Sequence, residues 1–296
     1  MNFVQRSECP VCESQNCTTL VKIPFVAPVM MNFIQDYYQG RPDPSLFVAD
    51  DYHLVECERC SCVYQKAILS SDNMDALYED WVSDEGRKKK DRRRIKDMNT
   101  YMRDFKVLEA LTNRRPHDIS VLEFGLGWGH WSRLAKAFNF NVSGAELAED
   151  RVANALAHGI PIVSDLSSVP DEHYDIIYSD QVLEHLPHPA AMMSEFSRML
   201  KPGGFIVTKV PSDKGMSKKL NPATFKPAHD AVHPLEHINL FRRSTFDFMA
   251  QENNLIQVKV PYVEGLSRPV EFLRERKRGI QNKAHQSTAI FHKTRN

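Results

Sequence analysis

Apolar and polar positions follow two different rhythms along this chain. From Ile119 onward, short apolar runs alternate with stretches whose apolar residues recur at three- and four-residue steps. Val121–Phe124 reads as a buried strand, and His130–Phe138 (HWSRLAKAF) as an amphipathic helix that follows it at once. Phe140–Glu146 is a second strand, and the helix after it stops at Gly159, as a left-handed cap glycine stops helices. IPIVSDL, Tyr174–Ser179 and FIVTKVP supply three further strands, with a helix over Ala190–Leu200. LKPGG between that helix and FIVTKVP reads as a reversing turn. LIQVKVPYV and STAIFHK read as a final antiparallel pair. Strands alternating with helices predict an α/β fold with a doubly wound sheet.

Before Ile119 the rhythm is different. Residues 72–112 read as helical, with Leu77, Tyr78 and Trp81 on one stripe and Ile95, Met98, Met102, Phe105, Leu108 and Leu111 on another. Asp51–Gln65 alternates apolar and polar positions as a hairpin does, whereas Ile23–Asp50 is punctuated by prolines and rich in aromatic residues, which predicts an irregular lobe. The expected division is a lobe over 1–70, a helical connector over 71–118 and a domain over 119–296.

Cysteine placement gives the lobe a chemistry. All six cysteines fall in the first 62 residues, and Cys9-Pro-Val-Cys12 and Cys57-Glu-Arg-Cys60 form two C-x-x-C knuckles. Four thiolates so paired are a ligand set for structural Zn²⁺, with no position left open for a substrate. Clustered rather than dispersed cysteines, an N-terminus without a signal-peptide pattern and no apolar run of bilayer length predict a cytoplasmic chain with no membrane span. Equal numbers of acidic and basic residues, 38 of each, exclude a global field that pulls the whole molecule onto nucleic acid. Two stretches depart from that balance: Arg87–Arg94, with seven basic residues in eight, and RPVEFLRERKRGIQNK, which reads as a basic helical insertion between the last two strands.

The chemistry of the larger domain begins at VLEFGLGWGHW. Three glycines alternate at Gly125, Gly127 and Gly129 between a strand and a helix, where doubly wound sheets bind ligands. A dinucleotide fingerprint requires glycine at 130, which is His130, and an acid, Glu123, stands two residues before the first glycine. This E-x-G-x-G-x-G form resembles motif I of the class I S-adenosylmethionine-dependent methyltransferases. The resemblance extends in order through Glu146, LEHLPHP at Leu183–Pro189, LKPGG at 200–204, EHINLF at Glu236–Phe241 and the terminal hairpin. It implies a seven-stranded Rossmann-like sheet with an antiparallel last strand. The knuckles look like the zinc-binding lobe that precedes this domain in sugar-modifying methyltransferases.

What the resemblance implies for individual residues follows the motifs. S-adenosylmethionine falls to Glu123, Phe124, Gly125, Gly127, Gly129, Glu146, Leu147, Asp165 and Asp180, with Glu146 on the ribose hydroxyls and Asp165 on the adenine amino group. Cys9, Cys12, Cys57 and Cys60 hold zinc. The expected acceptor is a small molecule, a sugar or a nucleotide- or carrier-linked sugar hydroxyl. Because a neutral hydroxyl is a poor nucleophile, His185 and His237 are the candidate general bases, with Asp180 and Glu184 orienting imidazole or acceptor. His229, His233 and His237 recur every four residues, but Pro234 breaks any shared helix, so that spacing does not predict a metal site. The alternative is an RNA or protein methyltransferase that uses the zinc lobe and Arg87–Arg94 for recognition.

Overall fold

The computed structural model describes residues 2–82, 95–259 and 286–295. The basic run Arg87–Arg94 and the basic stretch RPVEFLRERKRGIQNK, expected to be a helical insertion, lie outside them. The elements run in order β1 (Phe3–Gln5), β2 (Cys17–Pro24), α1 (Pro28–Tyr37), β3 (Asp51–Cys57), β4 (Val63–Gln65), β5 (Ala67–Leu69), α2 (Ser71–Ala76), α3 (Ile95–Thr112), β6 (Ser120–Phe124), α4 (His130–Ala137), β7 (Asn141–Ala145), α5 (Glu149–Ala157), β8 (Tyr174–Asp180), α6 (Pro189–Met199), β9 (Leu200–Pro211), β10 (Asn239–Leu240), α7 (Arg243–Glu252), β11 (Leu255–Val258) and β12 (Gln286–Lys293). Among the described residues, no helix is long and apolar enough to cross a membrane.

The described residues divide into two units that are not contiguous in sequence. One comprises those of Met1–Arg92, Glu184–Ala190 and Pro211–Thr245; the other comprises those of Arg93–Leu183, Ala191–Val210 and Phe246–Asn296.

The first unit is built on a four-stranded sheet in the order β10, β4, β3, β2, each pair antiparallel. The expected hairpin is β3–β4. The lobe expected to be irregular is instead ordered, because its aromatic residues make a core: Phe25, Met30, Ile34, Phe47 and Tyr52 are completely buried. Pro28 opens α1, where a missing N–H costs nothing. Phe25 packs on Phe3, Phe47 and Tyr52 with ring centroids 5.1 to 6.2 Å apart, in stacked, tilted and edge-on pairs. The fourth strand, β10, comes from the EHIN segment far along the chain.

The second unit holds a six-stranded sheet in the order β11, β12, β9, β8, β6, β7. β7, β6, β8 and β9 are parallel, and β11 and β12 are antiparallel, as the terminal pattern predicts. Val121, Leu122, Ile176, Ile177 and Ile206 are fully buried, which is why these strands read as continuous apolar runs rather than alternating ones. The strand expected over IPIVSDL is reduced to one parallel bridge, Gly144 to Ile162, closed by Gly144 N–H to Pro161 (2.9 Å) and Val163 N–H to Gly144 (2.8 Å). LKPGG is not a turn ahead of the strand. Leu200 already pairs with Tyr174, and the ladder resumes only at Ile176–Phe205, so Pro-Gly-Gly bulges within β9 with Gly203 at φ +83°.

α6 covers one face of this sheet through Met193, Phe196 and Met199, all fully buried. Phe196 meets Phe124 edge-on at 5.1 Å, directly before the glycine turn. Phe196→Ala should therefore cost about 3–5 kcal/mol, read as a lower urea midpoint in the unfolding of the sheet; an unchanged midpoint would mean the face is not packed through this ring.

Candidate functional site

In the second unit, the turn after β6 is shaped by what a side chain would strike. Gly125 has φ +72°, and a Cβ there would lie 2.4 Å from Val182 Cγ2. Gly127, at φ +55°, has nothing within 4 Å of where its Cβ would sit, so the middle of the turn faces open space. Gly129, at φ +67°, begins α4. Left-handed backbone at all three positions is what glycine permits cheaply.

Two acids organise this turn. Glu123 is buried, and its Oε2 accepts from the Ser132 N–H (3.1 Å) and from the Ser132 hydroxyl, binding the first turn of α4 to the end of β6. Glu146 stands just past β7. Its Oε2 accepts from the Gly127 N–H (2.9 Å), its Oε1 from the N–H groups of Leu147 and Ala148 (3.1 Å each), and Arg151 Nη1 lies 3.7 Å away. The next side chain, Leu147, is 95% exposed, an unusual position for a leucine beside a polar turn. Asp165 is exposed and accepts from Ser167 N–H (2.9 Å) and the Ser167 hydroxyl, which lower its pKa below the ordinary aspartate value. Asp180 ends β8, with its Oδ2 3.3 Å from the Tyr178 hydroxyl and 3.9 Å from Lys209 Nζ.

The two edges of this sheet differ in how completely their polar groups are satisfied. At the amino edge, the Asp175 carboxylate accepts from the Ser120 N–H and hydroxyl, Arg114 and Lys201 at 2.6 to 3.1 Å. At the carboxyl edge, Ser179 Oγ, Gln181 Nε2 and Thr208 Oγ1 are buried with no hydrogen-bond partner among the described residues. Ser179 and Thr208 are directly paired across β8 and β9. Buried polar atoms left unmatched call for a ligand or water. Beside them Lys209, 7% exposed in its side chain, donates to Asp104 (2.6 Å) and to the Tyr178 hydroxyl (3.0 Å). Burial and the neighbouring carboxylates raise the Tyr178 pKa well above the ordinary phenol value. Sequence reasoning missed Ser179, Thr208, Lys209 and Asp104. Position at a strand's carboxyl end could have singled out the first three, whereas nothing in α3 marks Asp104.

In the first unit, Cys9, Cys12, Cys57 and Cys60 are buried together, with one sulfur of each within 4.8 Å of the rest. Cys9 Sγ lies 3.5 Å from Cys60 Sγ, and Cys12 Sγ 3.4 Å from Cys57 Sγ, too far apart for disulfides. Sulfurs at the corners of a zinc tetrahedron with bonds of about 2.3 Å stand about 3.8 Å apart, so the four residues fit the ion. Hydrogen bonds from Cys60 and Cys62 pull the Cys9 pKa down to about 2, while burial pushes Cys12 up to about 11. One thiolate is thus stabilised by its neighbours' protons, and a dication would stabilise all four.

The same unit ties these knuckles to the histidine-bearing segment. Thr245 donates to the Cys60 carbonyl (3.0 Å), Arg242 to Glu56 (2.9 Å) and Gln65 to the His237 carbonyl (3.1 Å). Arg6, whose pKa burial lowers to about 10, donates to the carbonyls of Gln65 and Ile238 and to Asn239 Oδ1 at 2.6 to 2.9 Å. That scaffold gathers rings: His185 and His237 have centroids 4.9 Å apart, His233 and His237 5.7 Å, and Tyr37 stacks on His229 at 5.5 Å. His233 and Tyr38 both donate to the Glu236 carboxylate, at 3.2 and 3.0 Å. Burial, reinforced by His185 and His233, lowers the His237 pKa to about 2, so this ring is neutral. The three histidines of the four-residue spacing do not form a donor set. Among the described residues, the second grouping of metal-ligating atoms is Glu184, His185 and His237. Sequence reasoning missed Tyr38 and Glu236, which meet across 198 positions, and Tyr78, whose hydroxyl lies 3.1 Å from His185 Nδ1 across 107.

Comparison with known proteins bears mainly on the second unit. The family model described as methyltransferase domain matches residues 93–260. The 2-methyl-6-phytyl-1,4-hydroquinone methyltransferase of Synechocystis is 34% identical over 101 residues, 31% of this chain and 32% of that protein. The ubiquinone biosynthesis O-methyltransferase of Hydrogenovibrio crunogenus is 34% identical over 98 residues, 29% of this chain and 40% of that protein. The chain therefore matches less than half the length of either relative. An S-adenosylmethionine-dependent methyltransferase structure from Mesorhizobium loti superposes with a TM-score of 0.46 at 16% identity, covering 64% of this chain and 97% of that one.

The thiolate cluster generates a direct expectation. The purified protein should carry zinc bound by four sulfurs, seen in its X-ray absorption edge. Cys12→Ser or prolonged chelation should lower the melting temperature, because such sites contribute on the order of 10 kcal/mol to folding. A metal-free protein with an unchanged melting temperature would remove the structural role.

Proposed function

The chain belongs to the methyltransferase domain family, and from there we propose that it moves a methyl group from S-adenosylmethionine to a hydroxyl of a small acceptor, a sugar or carrier-linked sugar. The observation that carries this reading is the open glycine turn. Backbone at Gly127 faces free space, with the Glu146 carboxylate and the exposed Leu147 side chain beside it. Polar and apolar neighbours of that kind suit an adenosyl group: the carboxylate accepts from ribose hydroxyls, and leucine covers a face of the base. Glu123, Phe124, Gly125 and Gly129 hold the turn in shape, with Glu123 acting through Ser132. Asp165 reaches the adenine amino group through lone pairs that Ser167 leaves available, and Asp180 lies at the carboxyl edge with Ser179, Gln181 and Thr208. The side-chain atoms of Ser179, Gln181 and Thr208, which have no hydrogen-bond partner among the described residues, support a ligand at that edge.

The bound sulfonium supplies a methyl group already activated for transfer, so the chain's task is to align and activate the acceptor. We assign the activation to Glu184, His185 and His237. An imidazole with a pKa near 2 is a weak base at neutral pH, so His237 holds a hydroxyl better than it strips its proton. Phe33, Tyr37, His229 and His233, clustered in the same unit, support an acceptor with a ring: aromatic faces pack on a sugar's C–H face, and imidazoles bond its hydroxyls. A second reading, an aromatic ring hydroxyl, is favoured by the names of the two relatives, both of which describe methylation in quinone chemistry.

Calorimetry tests the donor half. S-adenosylhomocysteine should bind, NAD should give no heat, and Glu146→Ala should weaken binding at least about tenfold, or about 1.4 kcal/mol. Turnover tests the acceptor half: His185→Ala should lower kcat by about 10²–10⁴-fold while leaving S-adenosylhomocysteine affinity unchanged. Binding of NAD in place of the homocysteine nucleoside would overturn the reading.

A further inference from the structure

The cluster assigned above to acceptor activation carries a more specific chemistry. Glu184, His185 and His237 each offer one donor atom within 4.8 Å of the others, and His185 Nε2 lies 3.9 Å from Glu184 Oε1. Both imidazoles are anchored by the same nitrogen. His185 Nδ1 donates to the Glu236 carbonyl (2.9 Å), and His237 Nδ1 donates to the Asp230 carbonyl. A carbonyl oxygen can only accept, so each proton sits on Nδ1 and each Nε2 presents a lone pair. The Tyr78 hydroxyl, 3.1 Å from His185 Nδ1, can accept a share of the same proton.

Histidines that ligate metals are held in this way, with the outer N–H on a backbone carbonyl or carboxylate that fixes the tautomer. The carbonyls of Asp230 and Glu236 therefore stand where supporting groups of a metal site stand. The third member, Glu184, is a fully buried carboxylate beside His185.

We propose that Glu184, His185 and His237 form a cation site for a divalent first-row transition ion, separate from the four-thiolate centre. Two imidazoles and one carboxylate are a donor set for such ions, and three protein ligands leave coordination positions vacant. Bonds of about 2.1 Å bring donors to roughly 3.0–3.4 Å of one another, so binding draws the three side chains inward from their present spacing. Two neutral rings and one carboxylate leave the site with net positive charge, which favours an oxygen acceptor in the act of losing its proton to water. That role rests on the proposed methyl transfer; the binding itself does not.

The test is a titration of the full chain, its cysteine site filled with zinc, with Mn²⁺ followed by the loss of the free-ion electron paramagnetic resonance signal. One Mn²⁺ per chain should bind, and Glu184→Gln and His237→Gln should each weaken it by about 100-fold or more. Far-ultraviolet circular dichroism and S-adenosylhomocysteine binding should be unchanged in both. His185→Gln provides a third variant if either of these fails to fold. Absence of Mn²⁺ binding to the wild-type chain, or equal binding by all variants, overturns the site. Because turnover is not the readout, that failure leaves the methyl-transfer reading standing, and a failure of donor binding leaves the cation site standing.

Discussion

The carboxyl edge of the parallel sheet depends on how closely Val182 approaches Gly125. A Cβ on residue 125 would lie 2.4 Å from a Val182 methyl group, closer than real carbons pack, so only glycine lets β6 and the segment after β8 share that edge. With Gly125 in place the chain turns through left-handed backbone at Gly127 and Gly129 and enters α4. Glu123 and Glu146 then hold the turn from opposite ends, one through Ser132 and the other through the Gly127 N–H. The open space at Gly127 is a product of these contacts together, because a turn free to collapse would fill it.

The same logic of anchoring appears in the first unit with different chemistry. A short sheet and a set of thiolates make a base from which a long, weakly periodic segment is suspended by hydrogen bonds. Arg6 reaches Ile238 and Asn239, Gln65 reaches His237, and Thr245 reaches the carbonyl of Cys60. None of these bonds is exceptional alone, at about 1 kcal/mol net for a typical hydrogen bond. Their effect is positional: they decide which ring nitrogens are turned to backbone carbonyls and which stay available. The aromatic core of Phe3, Phe25, Phe47 and Tyr52 lends that base the rigidity a small sheet lacks by itself.

Burial affects the two histidine assignments differently. It strips His237 of basicity, whereas the carbonyl partners of His185 and His237 leave both rings with a lone pair to offer. A ring with that combination serves better as a ligand or a hydrogen-bond acceptor than as a proton carrier. The chemistry expected from the bare presence of histidine thus changes once its surroundings are known.

Much of the second unit was legible in the sequence. Continuous apolar runs announce parallel strands buried on both faces, and the glycine spacing with Glu123 marks the turn, because period and backbone permissiveness are local properties. The pairing of the two cysteine knuckles was legible for a similar reason, since four thiolates have few stable fates. Local rules failed where a contact joins distant residues. The aromatic segment after Ile23 reads as irregular until its rings find Phe3 and Tyr52, and LKPGG reads as a turn until Leu200 pairs with Tyr174. Likewise, the EHIN segment joins the N-terminal sheet through two pairs, Asn239 to Tyr64 and Leu240 to Val63. The sequence by itself determined strand order along the chain, the glycine turn and the thiolates. Only the tertiary structure decided which histidines meet, which nitrogens they expose and which polar atoms remain unmatched, because those depend on contacts between segments that no spacing along the chain encodes.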